Sequence, residues 1–441
     1  MMQYLDFGPV KQLVELAKAY SDLALEYGCS ENEAKEALQS LQQNVENTLS
    51  RFRQLERSYA SCSDEPDDYD KIVEKIEGGN TVTAVTDLKN KITAALLGRF
   101  AGCTLGVPVE SWDLYNLENM AKHCGMPYPP EDYWTEVERP WGLQFNREPR
   151  AMYSRDQMNG VPMDDDVTYV ILALLIMEKY GKDFTTADVG EYWQGYLTEA
   201  CTAELAALNN LKNGVPAEEA ALIDNPYAQW IGALIRADGF GYACAGNPHL
   251  AAKMGYTDAY LTHRRNGIYG EMLYAAVVAA AFTVSDPLEA IRIGLKEIPT
   301  TCSLYRDMIW ALETAPNLTD YLSARKILDE RFAGMHFVHT NNNACAIVFA
   351  LYLGKGDFTK TISIAVGMGL DNDCTAATCG SIIGAIVGPE GIAPHWTCAF
   401  HDKVRTYIND AEELRISDVV ERFVSLYNQF SEIPTYQDTN M

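Results

Sequence analysis

Positive charge is what this chain has least of. Its 441 residues carry 35 Lys and Arg against 61 Asp and Glu, a formal net charge of −26. No basic cluster stands ready to neutralise a phosphate backbone, which excludes nucleic-acid binding as the main task. Attachment to an anionic membrane surface is disfavoured on the same ground. An anionic small molecule stays open, provided the site recruits cations. Long apolar runs are missing too: the longest, "MLYAAVVAAAFTV" (272–284), is too short to span a bilayer and lies between Glu271 and Asp286. The opening "MMQYLDFGPVKQLVELAKAY" has no basic segment followed by an apolar run, so no signal peptide is expected. Eleven cysteines occur without a C-x-x-C pair. Several fall inside apolar helical patterns, and the expectation is free thiols packed as small hydrophobes in the cytoplasm. In "HWTCAFH", His395, Cys398 and His401 are three apart, a spacing that could gather zinc ligands on a helix; no fourth ligand is apparent, and core packing is preferred.

Convincing period-two runs of Val, Ile and Tyr are also absent. What is present reads as helix after helix. Residues 9–27 begin with Pro and stop at Gly28; Ser30 and Glu33 then offer a capping box for a helix to about Arg57. The acidic stretch 61–80, with Pro66 and Gly78-Gly79-Asn80, is the best boundary, giving a helical hairpin extension over 1–80 and a main domain over 81–441. Helices are expected over 87–103, 166–180, 186–211, 226–240, 248–262, 267–284, 286–297, 319–333, 341–354, 358–368, 373–388 and 416–429. The region 111–162 is irregular, and its Trp134, Trp141 and Phe145 either line a cleft or seal the core.

Two helices begin with carboxylates although nothing else in them is charged near that end. "GLDNDCTAATCGSIIGAIVG" carries Asp371 and Asp373, and "MDDDVTYVILALLIMEKY" carries Asp164, Asp165 and Asp166. Asp is a good N-cap and suits the positive end of a helix dipole, which accounts for one or two of them. Three in a row at the head of a buried helix repel one another unless a counter-charge intervenes. If the two tips converge across the 207 positions from 164 to 371, five carboxylates meet, and a hard divalent cation (Mg²⁺, Mn²⁺ or Ca²⁺) relieves them best, two ions being plausible. A third element, "GRFAGCTLGVPVE", spaces Gly98, Gly102 and Gly106 by four, which lets another helix pack close, and ends at the loop carboxylate Glu110.

These three elements, in this order, resemble the ADP-ribosylglycohydrolase family, with its G-x-x-x-G-x-P-x-E-like segment, T-D-D-T motif and late G-G-D-T-D-T-x-A-A-x-x-G motif. The likeness covers about residues 86–400 and leaves the hairpin outside. It implies an orthogonal all-α fold holding two Mg²⁺ or Mn²⁺ ions in a central cleft. Carried over, Asp165 and Asp166 fall on the first Asp pair, with Asp164 where the family has Thr; an alternative register pairs Asp164 with Asp165. Asp371 and Asp373 match the late aspartates, Asn372 and Cys374 replace threonines, and Thr375 stands beside the changed metal position. Metal ligands are thus expected among Asp164, Asp165, Asp166, Asp371, Asp373 and Thr375, and Glu110, Asp165 and Asp373 are the catalytic candidates. "GALIRADGFG" and "DAYLTHRRNGIYGE" supply Arg236 and His263 on the substrate side, and "VHTNNNACAIV" supplies Asn342.

The activity so implied is metal-dependent hydrolysis of the ribosyl C1″ glycosidic bond of an ADP-ribosylated protein or other ADP-ribose conjugate. The rivals are a catalytically inactive binding member of the same fold and a hydrolase of another N-glycoside or nucleotide-sugar. A terpenoid synthase would need D-D-x-x-D, but Thr168 stands where the third Asp belongs.

Overall fold

The computed structural model describes residues 4–59, 62–79, 81–135 and 150–431, so Trp141 and Phe145 lie outside the described residues. The architecture is all-α; among the described residues its only sheet pairs Lys403–Arg405 antiparallel with Glu413–Arg415. The centre is built from helices with no polar face: every residue of Asn266–Ala281 is buried, as are nearly all of Thr340–Gly354 and Asn372–Val387. Helices that are apolar all round belong inside.

Most helices fall where periodicity puts them, and the differences have local causes. The stretch 186–211 is two helices, Thr186–Tyr196 and Thr202–Lys212, because the intervening backbone turns extended at Leu197. The stretch 226–240 begins as turns and becomes helical only at Leu234–Arg236 and Ala237–Ala243. The irregular region contains Leu114–His123, capped by Asp113, and a further helix, Ser303–Thr314, was not expected. "HWTCAFH" forms two separate 3₁₀ turns with His401 exposed, so the three-apart spacing does not gather its side chains on one helical face.

One crossing sets the site. Leu88–Gly106 lies directly on Asn372–Val387: a Cβ on Gly98 would sit 2.2 Å from the Gly380 carbonyl oxygen, on Gly102 2.0 Å from that of Ala376, and on Gly106 2.3 Å from the Asp373 Cα. Only bare backbone permits that approach. It carries the exit of the glycine helix, and Glu110 with it, against the start of the late acidic helix. The segment Leu88–Val109 is also apolar and long enough to cross a membrane by length alone, but 89% of that window is buried inside the fold.

The N-terminal hairpin is a different kind of structure. Ser30 and Glu33 form the expected reciprocal cap at the start of Glu31–Tyr59. Gly8–Glu26 buries no residue at all, and 16 of the 23 large hydrophobic side chains that the described residues expose lie between Tyr4 and Leu55. Its attachments to the rest include Tyr4 against Gly334 and the Arg53–Asp224 ion pair.

Candidate metal centre

The two acidic tips meet. Ligand atoms of Asp166, Asp373 and Cys374 lie within 4.8 Å of one another, as do those of Glu110, Asp371 and Asp373, and those of Cys103, Asp164 and Asp166. Asp165, the least buried of the five aspartates, still lies close enough to raise the pKa of Glu110, Asp164 and Asp373.

The aspartates divide by duty. Asp164 is a true N-cap: its Oδ1 accepts the Asp166 amide at 3.0 Å and the Cys103 thiol at 3.3 Å. Asp371 occupies the N-cap position of Asn372–Val387 but its side chain makes no capping hydrogen bond; its amide is fixed instead by Asn343 Oδ1 at 3.2 Å. Asp166 is held by Arg99, which donates to its Oδ1 and to its backbone carbonyl, both at 2.8 Å, and to Asp238 Oδ2 at 2.8 Å. Burial opposes the charge on Arg99, and the two carboxylates more than restore it.

That leaves three buried carboxylate oxygens without a hydrogen-bond donor: Asp166 Oδ2, Asp371 Oδ1 and Asp373 Oδ1. Unpaired oxygens of this kind are costly. The electrostatics report the same shortage of positive charge. Burial first, and then the neighbouring carboxylates, push Glu110, Asp164 and Asp371 well above the usual carboxylate range; burial pushes Asp373 up to about 6, with a hydrogen bond from Asp371 opposing and the Asp165 charge adding. Asp166 is also raised, by burial first, despite Arg99. A donor set of carboxylates with orphaned oxygens fits a divalent cation.

Other expected residues stand elsewhere. Thr375 is fully buried and its hydroxyl donates back to the Asn372 carbonyl at 3.4 Å; the side chain at this turn that reaches the carboxylates is Cys374. Arg236 does not present its guanidinium to the acidic basin. It is buried and donates to Glu204, Gly232, Asp258, Thr262 and Glu271, which uses its donors internally. His263 is fully buried with Nδ1 on Thr262 Oγ1 at 2.7 Å, and burial followed by Arg236 pushes its pKa well down, so it is neutral. Asn342 turns its amide to the His336 carbonyl at 3.0 Å, and it lines a cavity of about 320 Å³ with Leu370, the residue before Asp371, and Arg325. Trp134 is buried with Nε1 on the Leu105 carbonyl at 2.8 Å, a seal and not a cleft wall.

Arg99, Cys103, Glu204 and Asp238 were not singled out by sequence reasoning. Arg99 carried a usable signal: a lone cation inside the glycine stripe of a helix otherwise fit only for the interior.

A family model described as ADP-ribosylglycohydrolase matches residues 84–429. No curated protein matches the sequence. A solved chain from an "ADP-ribosylglycohydrolase-related protein complex" is similar at 18% identity, over 78% of this chain and 98% of that one, with a TM-score of 0.46.

Proposed function

This chain belongs to the ADP-ribosylglycohydrolase family, and on that premise we propose that it hydrolyses the ribosyl C1″ glycosidic bond of an ADP-ribose conjugate, an ADP-ribosylated protein being one such substrate, with the help of Mg²⁺ or Mn²⁺. The observation that carries the proposal is the trio of buried, donorless oxygens on Asp166, Asp371 and Asp373, gathered from two helix tips.

Cleavage at C1″ passes through an oxocarbenium-like state, so the site must stabilise positive charge on the sugar and deliver water. A divalent ion, when bound, supplies an acidified water and an anchor for ribose hydroxyls. Asp166, Asp371 and Asp373 would hold it, with Asp165 facing the more open side and Glu110 completing the oxygen set. Glu110 is the group we assign to moving a proton, since it lies beside Asp373 at the exit of the glycine helix, within reach of what an ion there would hold. Asp164 caps the first tip and stays, with Cys103 and Asp166, within ligand reach of an ion, whereas Thr375 bonds back to Asn372. Arg236 and His263 are reassigned to the wall behind Asp165, through Glu204, whose charge senses Asp165; Asn342 remains substrate-side, at the cavity next to Asp371. That cavity sits at the small end of ligand pockets.

The division into a 1–80 extension and an 81–441 domain belongs to the same proposal, as does a cytoplasmic location. One observation favours a second reading, a non-catalytic binding member: Cys374 takes the place of a threonine among the metal positions of the family motif. The test is incubation with Arg- and Ser-ADP-ribosylated proteins and with free ADP-ribose conjugates, in Mg²⁺ or Mn²⁺, following released ADP-ribose. Release is expected from at least one substrate. Silence on the whole panel with metal bound would favour the binding reading.

A further inference from the structure

The acidic basin is not one uniform cage. Two donor triads share Asp373: Glu110, Asp371 and Asp373 offer only oxygen, whereas Asp166, Asp373 and Cys374 offer two oxygens and a sulfur. Hard and soft donors select different ions. Mg²⁺ takes oxygen and keeps its waters, and a thiol is a poor partner for it; thiolate ligands favour softer ions of the Zn²⁺, Fe²⁺ or Co²⁺ kind.

We propose that Cys374 is a metal ligand, and that the sulfur-containing triad takes a thiophilic divalent ion while the all-oxygen triad takes a hard one. The inference rests on the cation-dependent reading above and adds to it the chemical class of one ion.

Several observations carry it beyond the mere presence of a cysteine. Asp166 and Asp373 each have a fully enclosed oxygen without a donor, and both belong to this triad. The direction of the free Asp166 oxygen is set, because Arg99 grips the other one. The Cys374 side chain lies against Asp166 and Asp371, and the three ligand atoms of its triad are mutually within 4.8 Å. Bonds of roughly 2.0 Å to oxygen and 2.3 Å to sulfur give ligand separations of roughly 3.5 Å, so a modest side-chain rotation closes the triad on one ion. Both thiols of the basin face carboxylates: Cys103 donates to Asp164 at 3.3 Å, and Cys374 hydrogen-bonds toward Asp166 and Asp371, the groups of its own donor set and its neighbour. Cys374 is buried, at 6% exposure, so its sulfur is shielded from bulk oxidants and open only to what enters the basin. Coordination replaces the S–H bond by a metal–sulfur bond and releases one proton for each thiolate formed.

The test uses the full-length protein stripped of metal and titrated with Co²⁺ alone, with Mg²⁺ alone, and with Co²⁺ in excess Mg²⁺. A sulfur-to-cobalt charge-transfer band in the near ultraviolet is expected at about one equivalent, retained in C103S and absent from C374S and C374T. Calorimetry is expected to give Co²⁺ at least about a tenfold advantage over Mg²⁺ in the wild type, shrinking in C374T. Co²⁺ and Mg²⁺ binding without any such band would overturn this inference and leave the cation-dependent reading standing. A band that survives C374S would overturn it as well. Failure of both ions to bind the wild type would overturn the cation-dependent reading itself, and this inference with it. Circular dichroism of each variant separates a lost ligand from a lost fold.

Discussion

Two buried carboxylate clusters flank Tyr169, and they meet the same electrostatic problem in opposite ways. Around Arg236, the side chains of Glu204, Asp258 and Glu271 close on one guanidinium, whose donors all find acceptors inside the protein. At the helix tips, five aspartates and Glu110 gather near a single arginine, Arg99, whose carboxylate partners are Asp166 and Asp238. The first cluster carries its own cation, and of its carboxylate oxygens one, Glu271 Oε1, is left without a donor. The second lacks such a cation and is left with free oxygens. Burial by itself therefore says little about role; the presence or absence of an internal counter-charge separates a structural ion network from a binding site.

The contrast breaks most sharply if the tips are emptied of ligands. Asp371→Ala/Asp373→Ala should abolish divalent-ion binding and lower ADP-ribose release on the order of 10³-fold or more, as loss of several kcal/mol of transition-state stabilisation implies. Circular dichroism should remain that of the wild type. In the Arg236 cluster the same logic reverses. Arg236→Met strands buried carboxylates and should cost about 3–5 kcal/mol in denaturant unfolding, with the change in metal affinity much the smaller effect.

Proton linkage gives a third handle. Asp373 is raised in the fold, to about 6 from its ordinary 3.8, so its contribution to stability is complete below about pH 4 and is lost as pH rises through 6. Over that window the metal-free protein should lose on the order of 3 kcal/mol from this group. Saturating Mn²⁺ should flatten the profile, and Asp373→Asn should remove the metal-sensitive part. Glu204, pushed up to about 7, has the same sign and leaves a second slope at higher pH that Asp373→Asn does not remove.

The smallest effect is the most discriminating in sign. Asp371→Asn relieves repulsion at the tips and should stabilise the metal-free protein by about 0.5–2 kcal/mol while weakening metal binding. A destabilised Asp371→Asn protein would instead mean that the tips are already balanced internally, like the Arg236 cluster.

Much of this was readable from residues alone, for a physical reason. A helix such as Asn372–Val387, with no polar face, has to be buried, so the carboxylates at its head go inward with it; the glycines at 98, 102 and 106 name the surface it packs on. The partners of those carboxylates were harder to see. Arg99 lies within the glycine stripe, where packing explains the segment without it. Glu204 falls in a stretch whose apolar spacing continues across the extended break at Leu197, which hides the turn that brings it beside Arg236. Arg236 itself looked available because sequence shows a charge and not the three acids closing over it. At the late motif, Thr375 and Cys374 are one residue apart, about 100° around a helix, and only the turn's orientation decides which of them meets the acids.

The account stands on the claim that the tips of Asp165–Tyr180 and Asn372–Val387 form a site built for an external cation. Calorimetric titration of metal-free protein with Mn²⁺ and with Mg²⁺, run in two buffers of different ionisation heat, tests it directly. Saturable binding with net proton release, lost in Asp371→Ala/Asp373→Ala, is the predicted result. Negligible heat from both ions in wild type and variant alike would contradict it.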